Sequence, residues 1–102
     1  MMTMEKQIYY KNNNLKQLRA FCQAVRSGSI TKAAERLFLS QPSITLQIQA
    51  LERELKVTLF ERRGPNLKLT PSGESLYAIA SPLVDGMDAL QQNFATHQSL
   101  LA

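Results

Sequence analysis

The chain has 102 residues, with 12 Lys and Arg against 8 Asp and Glu, and a formal net charge of +4. This length suits one small domain, and its 44% hydrophobic and 7% aromatic content argues against wholesale disorder. No apolar run approaches the roughly 20 residues of a membrane span, residues 1–14 do not resemble a secretory signal, and a single cysteine excludes an internal disulfide. We therefore expect a cytoplasmic, bacterial protein without a membrane partner.

The charge is distributed unevenly along the chain. Residues 1–68 hold all twelve basic residues and five acidic ones, a formal charge of +7. Residues 69–102 hold three acidic residues and no Lys or Arg, a formal charge of −3. This split suggests that the two parts of the chain meet different partners.

The first half of the chain has a helical pattern after a polar start. Residues 1–14 are predicted to be a flexible extension. Ser27-Gly28 ends a first helix, and Ser29 is the predicted N-cap of a second helix that ends near Leu37. Apolar spacings of three and four place one set of residues on the buried face of the first helix: Leu15, Leu18, Phe21, Cys22 and Val25. The buried face of the second helix comprises Ile30, Ala33, Ala34 and Leu37.

A third helix, a hairpin and a fourth helix follow. Ser40 caps the third helix, which has Pro42 in its first turn and ends near Lys56. Its predicted buried stripe is Ile44, Ile48, Leu51 and Leu55. Strands are predicted over Val57–Arg62 and Leu67–Leu69, around a Gly64-Pro65-Asn66 turn. Thr70-Pro71 then begins a last helix that extends to about residue 98.

This order of elements is typical of a winged helix-turn-helix. The predicted fold is mainly α, with three helices and a two-stranded wing over residues 15–70, followed by a long linker or dimerisation helix over residues 71–102. The exposed face of the third helix carries Pro42, Thr45, Leu46, Gln49 and Arg53. Amides and hydroxyls on such a face read base edges, and an exposed leucine suits a thymine methyl.

The wing adds a basic cluster of Arg62, Arg63 and Lys68 beside this face. Taken alone, each feature has a plainer interpretation, a solvated helix face or a solvated charged turn. The combination favours binding of double-stranded DNA, because residues 41–50 have no charged side chain and the wing supplies the charge.

The chain resembles the LysR-type transcriptional regulators in segments that match in order and spacing over residues 15–98. The segments are Leu15-Lys16-Gln17-Leu18-Arg19-Ala20-Phe21, Ser29-Ile30-Thr31-Lys32-Ala33-Ala34-Glu35-Arg36-Leu37, Ser40-Gln41-Pro42-Ser43-Ile44-Thr45, Gln47-Ile48-Gln49-Ala50-Leu51-Glu52, Leu59-Phe60-Glu61-Arg62 and Leu69-Thr70-Pro71-Ser72-Gly73. The resemblance implies binding to a pseudo-palindromic DNA site as a dimer or tetramer. It also implies a small-molecule co-inducer, whose domain needs a much longer chain, so we expect a fragment or truncated relative that senses no ligand by itself.

Site residues follow from the face, the wing and the resemblance together. By position, residues 41–43, 45 and 46 match the family's base-contacting stretch, and Arg62 matches its wing arginine. Leu46 departs from the family's usual basic or polar residue, and Pro65 stands where many members have arginine. The predicted DNA contacts are Ser40, Gln41, Pro42, Ser43, Thr45, Leu46, Gln49, Arg53, Arg62, Arg63 and Lys68.

The last helix carries an apolar seam with alternating spacings of four and three. Its residues are Leu76, Ala80, Leu83, Met87, Leu90 and Phe94. Pairing with a second copy of the chain is the favoured interpretation, and packing on its own domain is the alternative. Pro82 is predicted to bend the helix near residues 78–82.

Other features indicate neither an enzyme nor a cofactor. Cys22 lies on an apolar helix face as inert core, and His97 has no Cys, Asp or Glu near it in sequence. No Cys and His spacing suggests a metal, and the glycines are too scattered for a phosphate loop. The competing hypothesis is a helix-turn-helix scaffold used as a protein–protein interaction module.

Overall fold

The computed structural model describes residues 14–61 and 66–101. In these residues the order of elements is α1 Asn14–Ser27, α2 Ile30–Leu37, α3 Gln41–Leu55, β1 Phe60–Glu61, β2 Lys68–Leu69 and α4 Pro71–Leu101. This confirms the mainly α winged helix-turn-helix with a long final helix. The first helix begins at Asn14, one residue earlier than expected, and residues 1–13 of the predicted extension lie outside the described residues.

Polar side chains cap the helix starts where the sequence predicted them. The Ser29 hydroxyl oxygen accepts the Lys32 amide hydrogen at 3.1 Å, and that of Ser40 accepts the Ser43 amide hydrogen at 3.2 Å. Thr70 Oγ1 accepts from the Gly73 N–H at 3.0 Å, at the start of α4. Each cap satisfies a first-turn N–H that has no partner within its own helix.

Three helices end on a residue in the left-handed conformation. Gly28, with φ +65°, ends α1 as predicted. Phe38 and Lys56, both with φ 57°, end α2 and α3, although neither is a glycine. Because the Phe38 side chain is 94% exposed, no packing of its ring accounts for this strained backbone.

Helix α1 lies at the centre of the core, in contact with α2, α3 and α4. Because it is contacted from several sides, its buried residues include Gln17 and two alanines, Ala20 and Ala24, that the predicted face omitted. Leu15, which the sequence placed on the buried face, is 43% exposed. The buried residues of α1 are Gln17, Ala20, Phe21, Cys22 and Ala24.

The buried faces of α2 and α3 agree largely with the predictions. Ala33 and Ala34 are buried in α2, with Ile30 and Leu37 packed partly against the core. In α3 the stripe of Ile44, Ile48 and Leu51 is buried. Leu55 is the exception, since it is 46% exposed at the last turn of α3.

The wing is shorter than predicted. Its antiparallel register pairs Phe60 with Leu69 and Glu61 with Lys68. Residues 57–59 remain outside the strand because they turn the chain back from α3, and there the Leu59 N–H donates to Glu52 Oε2 at 2.8 Å. The Thr70 N–H donates to the Leu59 carbonyl at 3.0 Å and ties the wing to the start of α4.

Helix α4 divides into a docked part and a projecting part. Ala80 and Val84 are 1% and 3% exposed against the chain's own core, whereas every residue from 88 to 100 is exposed. The seam predicted from sequence is therefore wrong at Ala80, which is covered by its own domain, and Leu76 also packs partly against that domain. The helix is continuous across Pro82, and the bend there stays a prediction.

Candidate nucleic-acid interface

The outer face of α3 presents polar and apolar side chains in its first turns. Gln41 and Pro42 are exposed, Ser43, Thr45 and Gln49 are half-buried, and Leu46 is 61% exposed. Ser40 precedes the helix, and its hydroxyl oxygen is engaged as the N-cap. The side chains that can reach outward therefore carry amide, hydroxyl and alkyl groups, and no charge occurs before Glu52.

A narrow cleft of about 90 Å³ brings α2, α3 and the wing together. It places the start of α2 beside the outer face of α3, with β1 and Leu67, the residue before β2, on the other side. A rod-shaped partner that contacts the α3 face therefore meets the wing as well. The residues that line the cleft are Ile30, Thr45, Ile48, Gln49, Phe60, Glu61 and Leu67.

The acidic residues of α3 make structural hydrogen bonds. Glu52 accepts from the Leu59 N–H, and Glu54 Oε1 accepts from Gln17 Nε2 at 3.0 Å. The basic residues Arg53 and Lys56 are exposed and border an open depression of about 460 Å³ next to Gln49. Glu52 lines the same depression, so an acidic group lies beside these two cations.

The wing contributes one described cation. Lys68 is 78% exposed, and its Nζ lies 3.8 Å from Glu61 Oε2 on the paired strand. Because both groups face water, this ion pair is weak, and a phosphate can compete for the lysine. Arg62 and Arg63, the other predicted wing contacts, lie outside the described residues.

Sequence reasoning did not single out the start of α2. Thr31 and Lys32 are exposed in its first turn, next to the Ile30 edge of the cleft. Helix N-termini attract anions through their free N–H groups. The N-cap at Ser29 was the available signal, because it marks where this positive helix end lies.

Two groups outside this face have shifted pKa values. Burial raises the pKa of the Cys22 thiol, which keeps it protonated and unreactive as core. A hydrogen bond to Tyr77 raises the pKa of Arg26, which is therefore charged at every accessible pH. In residues 14–61 and 66–101, no three His, Cys, Asp or Glu side chains cluster as a metal site requires, and no helix combines the length and apolarity needed to cross a membrane.

The second and third helices, their short connector and the two-stranded hairpin define a winged helix-turn-helix protein. Residues 15–74 match the family model described as bacterial regulatory helix-turn-helix protein, lysR family. The chain therefore belongs to the LysR family of bacterial regulatory helix-turn-helix proteins.

Similar proteins are transcriptional regulators and not enzymes. The chain is 37% identical over 90 residues to the transcriptional activator CmpR of Synechocystis sp., covering 88% of this chain and 30% of the relative. It is 41% identical over 76 residues to BenM of Acinetobacter baylyi, covering 74% of this chain and 25% of the relative. The chain thus spans about a third or less of these relatives.

A solved structure of the BenM DNA-binding domain with catB site 1 DNA gives the same architecture. Its TM-score is 0.74 at 38% identity, covering 83% of this chain and 96% of that chain. A mutant of OxyR from Corynebacterium glutamicum gives a TM-score of 0.75 at 33% identity, covering 80% of this chain and 26% of that chain.

Proposed function

We propose that this chain is the DNA-binding portion of a dimeric bacterial transcriptional regulator in the cytoplasm and binds double-stranded DNA sequence-specifically. The observation that carries the proposal is the common cleft, which groups the start of α2, the outer face of α3 and the wing residues Phe60, Glu61 and Leu67 on one side. The similarity to a BenM domain solved with DNA supports it. A small-molecule co-inducer would act only on a longer protein, in a region beyond this winged domain.

In this mechanism α3 enters the major groove with its N-terminal turns first. The Gln49 amide pairs with an adenine edge, Thr45 donates to a base or phosphate, and Leu46 meets a thymine methyl. Gln41, Pro42 and Ser43 lie at the start of the helix, where the Gln41 N–H is proposed to face phosphate, since Pro42 has no N–H and that of Ser43 donates to Ser40 Oγ. These side-chain contacts discriminate between DNA sequences without using charged groups.

Cations then hold the duplex on either side of α3. Arg53 is exposed at its C-terminal end, and Lys68 is exposed on the wing. Lys32 is a third phosphate contact, at the start of α2. Arg62 and Arg63 are proposed to extend this set at the wing tip, from sequence alone. Such contacts raise affinity for all sequences alike and make binding salt-dependent.

The dimer is proposed to form through the exposed apolar side of α4. The exposed residues Ile79, Leu83, Leu90 and Phe94 are 55% to 65% accessible and follow spacings of four, seven and four. This surface keeps Leu83, Leu90 and Phe94 from the sequence prediction, with half-buried Met87 at its edge. Ile79 replaces the docked Leu76 and Ala80 as the N-terminal part of the seam.

Selection of bound DNA from a random pool tests sequence-specific binding. We expect an enriched site with two-fold symmetry, one half-site for each subunit. Gln49→Ala should cost about 1–3 kcal/mol of discrimination at one base position. Gln92→Ala is the matched control, because Gln92 is an exposed glutamine on the projecting part of α4. Equal binding of selected and random DNA would contradict specific recognition and favour the protein–protein module.

Sedimentation at micromolar concentration tests the dimer. Leu90→Glu combined with Phe94→Glu should shift the chain towards monomer, because a buried unpaired carboxylate is strongly unfavourable. Gln91→Glu combined with Gln92→Glu adds the same charge to neighbouring exposed positions and should leave the dimer intact. A wild-type monomer, or equal effects of the two pairs, would contradict this seam.

A further inference from the structure

A group of polar contacts joins the C-terminal end of α1 to α4. Arg26 Nε donates to Tyr77 Oη at 2.9 Å, and Arg26 Nη2 donates to Ser81 Oγ at 2.7 Å. The same nitrogen lies 3.1 Å from Asp85 Oδ1. The guanidinium carbon lies 5.8 Å from the centre of the Tyr77 ring. We call these four residues the α1–α4 junction.

The three partners of Arg26 occupy successive turns of α4. Residues 77, 81 and 85 are four apart, so they form one line along the helix. A guanidinium is planar and its donors have fixed directions. Satisfying three acceptors at once therefore restricts both rotation of α4 about its axis and sliding of α4 along α1.

The apolar contacts in the same region restrict α4 less. Ala80 and Val84 are small, and both are buried against the core. Burial of such side chains is favourable but non-directional, so these two side chains restrict rotation of α4 less than the directed hydrogen bonds of Arg26 do. Arg19 and Asp88 form a further ion pair at 3.1 Å, but it joins a single donor of half-buried Arg19 to a single acceptor of exposed Asp88.

The two ends of the junction belong to different functional parts. Helix α1 packs against α2 and α3, which hold the proposed DNA face, and α4 carries the proposed dimer seam. We propose that Arg26 is a positioning residue that fixes the angle between α4 and the winged domain, and thereby the separation of the two DNA half-sites that a dimer reads. This inference rests on the proposed dimeric DNA binding.

A small change of this angle is enough to change the preferred spacing. Helix α1 contacts both α3 and α4, so the outer face of α3 is of order two helix diameters, about 20 Å, from the axis of α4. A tilt of about 10° acting over about 20 Å moves a recognition helix by about 3.5 Å, which is one base-pair step.

The test measures affinity for two half-sites whose spacer is varied in single base-pair steps. Half-sites come from the selected DNA, and binding is followed by fluorescence anisotropy. In the wild type, a spacer one base pair longer or shorter than the optimum should lower affinity about tenfold. In Arg26→Ala the loss should fall to about threefold or less, while affinity for an isolated half-site stays within about twofold.

Two further variants sharpen the test. Arg26→Lys keeps the charge but loses the planar donors, so it should also broaden the spacer profile. Arg19→Ala removes the neighbouring ion pair and should keep the narrow profile of the wild type. If Arg26→Ala does not fold, Asp85→Ala combined with Ser81→Ala removes acceptors on α4 and carries the same expectation.

The outcomes distinguish a failure of the proposed role of Arg26 from a failure of the proposed dimeric DNA binding. A sharp wild-type optimum that is unchanged in both the Arg26→Ala and the acceptor variants would overturn the role of Arg26 alone. Equal broadening by Arg19→Ala would also overturn it, since any loosening of α4 would then suffice. A wild-type dimer without a preferred spacer, or a wild-type monomer, would overturn the proposed dimeric reading and the role of Arg26 together.

Discussion

The close approach of α4 to the wing makes Gly73 the most sharply testable position in the fold. A Cβ at Gly73 would lie 2.2 Å from the Leu59 carbonyl oxygen and 2.7 Å from Leu69 Cδ2. Contacts of real Cβ atoms below 3.0 Å are essentially never seen, so Gly73→Ala requires the Leu59 backbone to move by at least 0.8 Å. That carbonyl also accepts from the Thr70 N–H, and its residue is fully buried.

The expected cost combines three terms. Overpacking costs about 1–3 kcal/mol, and distortion of the Thr70–Leu59 hydrogen bond costs about 1 kcal/mol. Replacing glycine by alanine inside a helix stabilises the helix by about 1 kcal/mol, which offsets part of this cost. The free energy of unfolding should therefore fall by about 1–3 kcal/mol, which lowers the melting temperature of a small domain by about 4–20 °C.

Thermal and urea unfolding, followed by circular dichroism, measure this effect. Protein concentration is held constant, because the proposed dimer would make apparent stability depend on it. Gly86→Ala is the matched control, since a Cβ there has no atom within 4 Å, and it should stabilise the helix by about 0.5–1 kcal/mol. A Gly73→Ala protein as stable as the wild type, with Gly86→Ala behaving as expected, would refute the close approach.

Three other predictions follow from particular contacts. Each thymine of the half-site is replaced in turn by uracil, which lacks only the methyl group. If Leu46 contacts one of these methyls, the loss of affinity at that position should be about 1 kcal/mol smaller in Leu46→Ala than in the wild type. Equal losses in both proteins at every position would exclude a methyl contact. Glu61→Gln frees Lys68 from its ion pair, so affinity should rise for all DNA sequences and the salt dependence should steepen; altered sequence preference instead would contradict a phosphate role. Because burial raises the pKa of Cys22 above its ordinary value of 9.0, its contribution to stability is present below about pH 9 and is lost at higher pH. A thiol reagent should react with Cys22 only when the protein unfolds, and rapid reaction of the folded protein would disprove the burial.

Local features of the fold were predictable because their causes lie within a few residues. Ser29, Ser40 and Thr70 each precede a helix and accept from an N–H three residues later. Periodicity likewise identified the buried face of α3 from Ile44 to Leu51. The Leu55 prediction was wrong because the same periodicity continues to the end of α3, where the core no longer covers it.

The choice of residues on the candidate DNA face stays a prediction from sequence, although the structure describes the surroundings of most of them. Thr45 and Gln49 line the cleft between α3 and the wing, a contact between segments about a dozen or more residues apart. The N-cap at Ser29 marked the start of α2 in the sequence, but not its position beside α3. Its relevance comes from the Ile30 edge of that cleft, which depends on packing.

The sequence by itself determined the helices, the wing and the family, since capping, periodicity and motif spacing depend on residues that are close together in the sequence. Only the tertiary structure decided which side of α4 is free. The heptad pattern at Leu76 and Ala80 favoured a second copy of the chain, but both residues pack against the chain's own core, where α4 contacts α1. The same holds for Arg26, whose partners lie more than 50 residues further along the chain. Spacing reports which residues share a face, but only packing determines what that face meets.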